Sequence, residues 1–469
     1  MRALVAALAL ACVVSGCLSA PPQPPPAGPE PVATLPVAWA TLPFTGTETK
    51  LAVSSSGVLF YAGARADPDA LVDGMVSTLH RSRDGGATWQ EVTPRLPTGH
   101  TAPPSGSVDP ITTVDPDTGR VFFASMFPRD VCGFVSWSDD EGDTWMHSPF
   151  LCGTHPPFDH PFIVTSHPRV LRTAAYPNLV HVCVNQVGDT QCLRSLDGGL
   201  TWSAGTPPFA GLDPSSDGGL DGFPQGFCGG LEGPVVAAPD GTLYVPRQYC
   251  ERPYLAFSRD DGTTWSTLRV SPKSALEGPD PALAVDGEGN LYYAWADILG
   301  TAWLTTSRDG GATWSDAARV SPEGVTIQLP TVAARGPGQV VVGFLGTRDL
   351  PRGFLETDFD LYEDDRPLDG TVMRAAWHAW VAATDDVFAG RPFNATIASD
   401  PAQPLVRGHC DARYCPGPYS DYNGAVVAPG GRAFLTFVDW CPDDCATADG
   451  VRNREPGAAA LAALSPWGP

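Results

Sequence analysis

An eight-residue pattern, Ser-x-Asp-x-Gly-x-Thr-Trp, recurs through this chain of 469 residues. It reads SRDGGATW (82–89), SDDEGDTW (138–145), SLDGGLTW (195–202), SRDDGTTW (258–265) and SRDGGATW (307–314). Five near-identical octamers do not arise by chance, and a degenerate sixth, TDDVFAG, starts at Thr384. The residue types describe a tight turn. Gly permits a left-handed backbone angle. Asp accepts hydrogen bonds from turn N–H groups, the hydroxyls close the loop, and Trp is an apolar plug. A turn is needed in every repeat, whereas chemistry needs one special site. Asp84, Asp140, Asp197, Asp260 and Asp309 therefore read as scaffold, as do Trp89, Trp145, Trp202, Trp265 and Trp314. Intervals of about 50–75 residues suit a four-stranded sheet unit with its loops.

A second repeat counts those units. Apolar strand, Gly turn and apolar strand recur as KLAVSSSGVLFYAGA (50–64), ITTVDPDTGRVFFAS (111–125), FIVTSHP…LVHVCVN (162–185), PVVAAPDGTLYVP (234–246), ALAVDGEGNLYYAWA (282–296), TVAARGPGQVVVGF (331–344) and GAVVAPGGRAFLTFV (424–438). The 50 Gly and 49 Pro rule out a mainly helical protein and favour short strands joined by turns. The seventh copy is followed by a candidate third strand, GAAALAAL (457–464), and AWATLPF (38–44) is available as the fourth. Closing a ring in this way removes two exposed sheet edges. The expectation is an all-β, seven-bladed β-propeller of four-stranded antiparallel blades spanning 38–469. A six-bladed ring with one accessory hairpin is the alternative.

The octamers match the Asp box, the mark of the bacterial neuraminidase repeat. Over residues 40–465 the chain resembles the sialidase-like superfamily of Asp-box β-propellers. The resemblance implies that each box joins the third and fourth strands of a blade, on the face opposite the functional site. With strands A to D counted outward from the axis, the A–B turns share the octamer face. The longer, varied B–C and D–A loops share the other face, which is where function is expected.

The N-terminus, MRALVAALALACVVSGC (1–17), has one Arg, an apolar run too short to span a bilayer, and small residues. Its end resembles a prokaryotic lipobox, which implies lipidation of Cys17. A Pro-rich tether falls within 18–37, as PPQPPPAGPEP (21–31). The expected location is extracytoplasmic, at the cell envelope or surface, with the lipid as the one membrane contact. Ten further cysteines fit an oxidising compartment: Cys132, Cys152, Cys183, Cys192, Cys228, Cys250, Cys410, Cys415, Cys441 and Cys445. Local disulfide pairing on the loop-rich face is expected. A four-thiolate zinc site at 410–415 and 441–445 is the competing reading. A net charge of −23 with only two lysines, Lys50 and Lys273, excludes nucleic-acid binding and electrostatic docking on anionic lipid. A monomer is expected.

Just before each A strand stands a carboxylate or amide: Glu48, Asp109, Asp159, Glu232, Asp280, Gln328 and Asp421. Together they are expected to circle the channel mouth, with Arg129, Arg247 and Arg348 in neighbouring B–C loops. Two readings stand. One is a pocket of general acid or base carboxylates with an arginine anion clamp. The other is a repeated cap, each carboxylate bonding backbone N–H groups of the next blade. A Ca2+ ion or ordered water suits either, and no metal ligand is assigned. The acidic insertion 346–373 reads as a lid, a Ca2+ loop or a solvated excursion. His155, His160 and His409 read as hydrogen-bonded loop residues.

Sialidases of the superfamily use three arginines, a Tyr–Glu nucleophile pair, an Asp acid/base and an early Phe/Tyr-Arg-Ile-Pro motif. That motif is absent before the first octamer, where the arginines are Arg65 and Arg81, and Val245-Pro246-Arg247 lies in blade four. Asp159, Glu232, Tyr419 and Tyr422 fit the roles without a supporting motif. Three functions remain open: a propeller binding a glycan or protein ligand, a glycoside hydrolase such as an exo-α-sialidase, and a cell-envelope assembly or structural factor.

Overall fold

The computed structural model describes residues 35–67, 75–96, 107–126, 133–150, 159–173, 175–186, 189–210, 212, 232–276, 280–351, 374–408, 423–441, 445–447, 450–451 and 457–467. Seven four-stranded antiparallel blades make up the folded unit. Blade 1 comprises Thr47–Val53, Leu59–Ala66, Met75–Ser82 and Gln90–Glu91, and the pattern repeats in blades starting at Val108, Asp159, Val236, Ala282 and Thr326. Blade 6 carries an extra strand, Val406–Arg407, paired to its third strand. The innermost strands touch in sequence around the axis, and the last, Ala425–Val427, returns to the first, Thr47–Val53. The ring therefore has seven members and is closed. Among the described residues no helix is long and apolar enough to cross a membrane.

Closure uses the two terminal strands anticipated from the sequence. Blade 7 runs Ala425–Val427, Ala433–Asp439 and Ala458–Leu464, and its outer strand is Val37–Thr45 from the other end of the chain. The two ends pair antiparallel from Val37↔Leu464 to Thr45↔Ala458, with one irregularity after Thr41. Leu42, Tyr61, Leu461 and Phe434 then pack in one cluster across blades 7 and 1. The other blade interfaces are built alike, from alternate apolar residues of facing sheets.

Each octamer lies between the third and fourth strands of its blade, and its side chains make the expected turn. In the first, the Ser82 hydroxyl donates to Asp84 Oδ1 (2.8 Å) and its oxygen accepts from Gly86 N (2.9 Å). Thr88 donates to both Asp84 oxygens, through its N–H (2.8 Å) and its hydroxyl (2.6 Å), and Trp89 Nε1 donates to Gly86 O (3.0 Å). Gly86 sits at φ 93, which explains the glycine. The same carboxylate bonds recur at Asp140, Asp197, Asp260 and Asp309. The Thr hydrogen bonds hold the carboxyls of Asp84, Asp140 and Asp309 down to about 2. At Thr384 the turn differs: Asp386 accepts from Ala389 N and Arg391 N, and no Thr or Trp closes it. Blade 7 has no octamer because its third and fourth strands come from opposite ends of the chain.

The sequence left one function of these turns unread. Four of the five octamers are held by an arginine of the blade before them. Arg81 of blade 1 donates to Glu141 O (2.6 Å) and pairs with Asp143 in the second octamer. Arg120 donates to Gly198 O, Arg194 to Asp261 O and Arg259 to Gly310 O in the next three. The octamers therefore serve as both turn and inter-blade joint.

Of the ten cysteines, Cys183 and Cys192 are bonded across one hairpin and Cys441 is bonded to Cys445. The second bond removes two of the four thiolates the zinc reading needs. Cys250 is also disulfide-bonded. Cys132, Cys152, Cys228, Cys410 and Cys415 lie outside the described residues, as do Cys17 and most of the tether.

Two substitutions separate the joint from the surface. The Arg81 side chain is 3% exposed, whereas that of Arg83, which meets Glu141 and Asp143, is 50% exposed. Arg81→Ala is expected to cost about 2 kcal/mol, because it removes a buried guanidinium and leaves the part-buried Glu141 carbonyl without it. Arg83→Ala is expected to cost less than about 1 kcal/mol. Urea unfolding of both variants checks the contrast, and equal losses would remove the joint.

Candidate functional site

The site is built where A strands begin, at the end of the channel opposite the octamers. In four blades the A strand opens with a bulge. The register shifts between Thr47 and Lys50, Val108 and Ile111, Asp159 and Phe162, and Gln328 and Thr331. The second residue of each bulge is left-handed: Glu48 (φ 50), Asp109 (φ 51), His160 (φ 45) and Leu329 (φ 52). Non-glycine residues there carry about 1–2 kcal/mol of strain, and such positions concentrate at functional sites. Proline follows in three of them, at Pro110, Pro161 and Pro330.

This geometry corrects the ring drawn from sequence. Glu48 and Asp109 occupy the bulge position, and Asp280, which precedes Pro281, aligns with them. Asp159 and Gln328 lie one residue earlier, so their blades present His160 and Leu329 instead. Glu232 also lies one residue early, paired with Arg247 in a single bridge, and Gly233 takes the bulge place in blade 4. The mouth is therefore not a ring of seven equivalent acids. Asp421 and Tyr422 lie outside the described residues, as do Arg129, Tyr419, His155, His409 and 352–373 of the acidic insertion.

Part of the ring is a cap, as one reading required. Glu48 Oε2 accepts from Asp109 N (2.8 Å), and Asp109 Oδ2 from His160 N (3.4 Å). Asn423 closes the other side by donating to Leu329 O (3.2 Å). The remainder is not a cap. His160 Nδ1 stands 3.1 Å from Asp280 Oδ1, joining blade 3 to blade 5 past blade 4. Lys50 of blade 1 places its ammonium 4.8 Å from the Phe162 ring centroid and is attracted by Asp280. The Thr190 hydroxyl donates to Glu232 Oε2 (3.2 Å), while Arg247 lies within 3.5 Å of the same hydroxyl.

These groups are buried and electrostatically strained. Burial pushes the Glu232 carboxyl up to about 8, against the pull of Arg247. Burial, then the neighbouring Glu48 carboxylate, hold Asp109 well above its ordinary range. Burial lowers Lys50 to about 8, opposed by Asp280. Glu232 is 0% exposed, yet its Oε1 has no hydrogen-bond partner. Asn185 Oδ1 and both side-chain polar atoms of Gln248 are likewise buried and unpartnered. Asp159, Asn185 and Thr190 pair in one row across blade 3, and Thr190 links that row to Glu232. Buried unsatisfied polar atoms are rare in native proteins and mark places where water or a ligand completes the bonding.

Of the expected arginines, Arg247 stands at the mouth. Arg348 is exposed at the rim of blade 6, donating to Glu323 O and lying over the Trp380 ring. Among the described residues no arginine triad forms. Sequence reasoning missed His160 and Lys50 as members of the site. The signal for His160 was present: aligning Asp109-Pro110, His160-Pro161, Gly233-Pro234, Asp280-Pro281 and Leu329-Pro330 puts it in the ring position.

No protein-family model matches the chain, and no curated protein matches it. Among solved structures it is similar to a protein of unknown function from Dyadobacter fermentans, at 14% identity and TM-score 0.45, covering 92% of this chain and 99% of that one. A Hadza microbial sialidase is similar at 16% identity and TM-score 0.43, covering 64% and 63%. A mutant α-L-arabinofuranosidase from Fusarium graminearum is similar at 13% and 0.43, covering 64% and 88%. At these values none carries an argument about activity, which rests on the site itself.

The raised Glu232 carboxyl has a thermodynamic signature. The folded state holds this proton to about pH 8, whereas the ordinary carboxyl releases it near 4.5. Its stabilising contribution is thus complete below about pH 4.5 and lost as pH rises through 8. Lys50 acts in the opposite sense, but only above about 8. Glu232→Gln keeps the neutral form at every pH. The loss of unfolding free energy between pH 5 and pH 8 is expected to be smaller in the variant by about 2 kcal/mol or more. Parallel curves for wild type and variant would show that Glu232 titrates normally.

Proposed function

We propose that this protein is an extracytoplasmic propeller, tethered through a lipid on Cys17, that binds a glycan at the channel mouth opposite its octamer turns. One observation carries the reading. Buried polar groups converge where A strands begin, and Glu232 Oε1, Asn185 Oδ1 and both side-chain polar atoms of Gln248 lack hydrogen-bond partners. A sugar unit offers donors and acceptors on one small rigid ring, which suits this mixture of carboxylate, amide and cationic groups. Lys50 and Arg247 add charge for an acidic sugar. A site made of strained backbone and locked side chains suits binding, because little ordering is left to be done by the ligand.

A second reading is supported by Glu232 alone. A buried carboxylic acid that keeps its proton near neutral pH is the kind of group that serves as general acid in glycoside hydrolysis. Asp159 or Asp280 would then be its carboxylate partner. The absence of an arginine triad among the described residues weighs against the sialidase form of this reading.

A glycan array followed by titration calorimetry is the decisive measurement. Wild type is expected to retain a sugar ligand and to release nothing from a fluorogenic sialoside or aryl glycosides. Asp280→Asn is expected to weaken binding at least tenfold. Turnover by wild type that Glu232→Gln abolishes would replace the binding reading with the hydrolytic one. Absence of both binding and turnover would sink the two together.

A further inference from the structure

On the octamer face one exposed side chain spans three blades. His167 follows the A strand of blade 3, Asp159–Ser166, which begins at the mouth. Its Nε2 lies 2.8 Å from Asp117 Oδ2, in the A–B turn of blade 2. Its Nδ1 lies 2.8 Å from Pro239 O, in the A–B turn of blade 4. The segment that follows is fixed to blade 4 as well, because Arg169, Val170 and Leu171 donate their N–H groups to Asp261 at 2.9, 2.8 and 2.7 Å. The two backbones pass closely here, since a Cβ on Gly241 would come within 2.3 Å of the His167 carbonyl oxygen.

Neither partner of the ring can give a proton. A peptide carbonyl only accepts, and so does an ionised carboxylate. Asn178 Nδ2 donates to the same Asp117 Oδ2 (2.8 Å) and, with His167, holds that carboxyl below its ordinary value. Two contacts of hydrogen-bond length to two acceptors need an N–H on both ring nitrogens, which only the imidazolium has. The surrounding charges fit a cation. Asp115 and Asp117 face the ring from blade 2, where Asp115 also accepts from Tyr176 and Asn178 and Arg120 is turned to Asp139. Arg169 and Arg172 share its loop, and Arg169 pairs with Asp240 beside Pro239 at 2.5 Å. Arg259 reaches on to Gly310 O in blade 5. The bonds to Pro239 and then Asp117 raise His167 above the ordinary 6.5, whereas burial lowers His80, His147, His181 and His378.

We infer that His167 is a proton-operated clip: its imidazolium ties blade 3 to blades 2 and 4, and the neutral ring releases one of the two ties. A neutral ring carries a single N–H, so either Asp117 or Pro239 O then faces a bare nitrogen. The folded state binds this proton more tightly than the unfolded chain. The clip therefore stabilises the fold fully below about pH 6.5, and its contribution is lost as pH rises through the higher folded value. The seating of blade 3, whose A strand carries Asp159 and His160 at its other end, is thereby linked to pH. The device is separate from the glycan reading, because it is measured without any ligand.

The full-length protein is labelled with 15N-histidine, and the ring nitrogen shifts are followed by NMR from pH 5 to pH 9. His167→Gln identifies the His167 signals among those of the nine histidines. Both ring nitrogens are expected to carry protons at pH 7, with a titration midpoint above 6.5. Asp117→Asn is expected to bring that midpoint down toward 6.5, because it removes the facing charge and leaves only the bond to Pro239 O. Thermal unfolding gives a second readout, taken in the Glu232→Gln background so that this carboxyl does not titrate. There the protein with His167 is expected to melt above the one with His167→Gln at pH 6, and the gap is expected to close by pH 9. A midpoint at or below 6.5, a bare ring nitrogen at pH 7, or a melting gap equal at both pH values would each overturn the clip.

Discussion

The pairing of Val37–Thr45 with Ala458–Leu464 is the constraint on which the other interactions depend. Sheets in a ring have no natural end. Without that pairing, blade 7 would stop at its third strand and present a free hydrogen-bonding edge. It would also leave the Leu42, Leu461 and Tyr61 cluster between blades 7 and 1 half-built. The closing contact joins residues more than 400 apart in the sequence, so its loop-closure entropy is met only once the intervening blades are in place. The arginine joints ease that burden. Each is a contact between consecutive blades, formed locally, that sets one sheet against the next before the ring shuts.

Closure also explains why the two faces differ. On the octamer face the chain is tied twice, by turn carboxylates within a blade and by arginines between blades. Local geometry there is over-determined, so the sequence repeats. On the other face the A strands begin under the restraint of the closed ring but without a repeated turn. Left-handed residues at Glu48, Asp109 and His160 persist there because the strands on either side are already fixed. A rigid scaffold thus holds a varied set of side chains in place, which is what a binding site requires.

The fold was legible because it is written in repeats. Octamers gave the corners, the strand–turn–strand copies gave seven blades, and the two terminal apolar runs gave the closure. The inter-blade role of Arg81 or Arg120 was not legible, since no spacing shows which neighbour an arginine meets. The site was half legible. Acids before the A strands pointed to the right place, but strand starts judged by hydrophobicity alone drift by a residue. That drift chose Asp159 over His160, because a carboxylate was being sought. Lys50 escaped notice as the first residue of an apolar run. Its charge is tolerated inside the channel because Asp280, four blades further along the chain, draws it in. Such a contact is invisible until the ring closes.

The reach of His160 across blade 4 has a backbone cause. A Cβ placed on Gly233 would come within 1.8 Å of the Pro281 carbonyl oxygen. No side chain larger than hydrogen fits there while blades 4 and 5 stay in contact. Blade 4 therefore offers nothing at the ring position, and its acid, Glu232, comes from the residue before, where it turns toward Thr190 and blade 3. The gap lets His160 meet Asp280 directly. Three ordinary choices, a glycine for close approach, a proline after the bulge and an acid one residue early, thus decide which ionisable groups meet. None of the three is chemical in itself. The chemistry at the mouth is set by how closely two backbones pass.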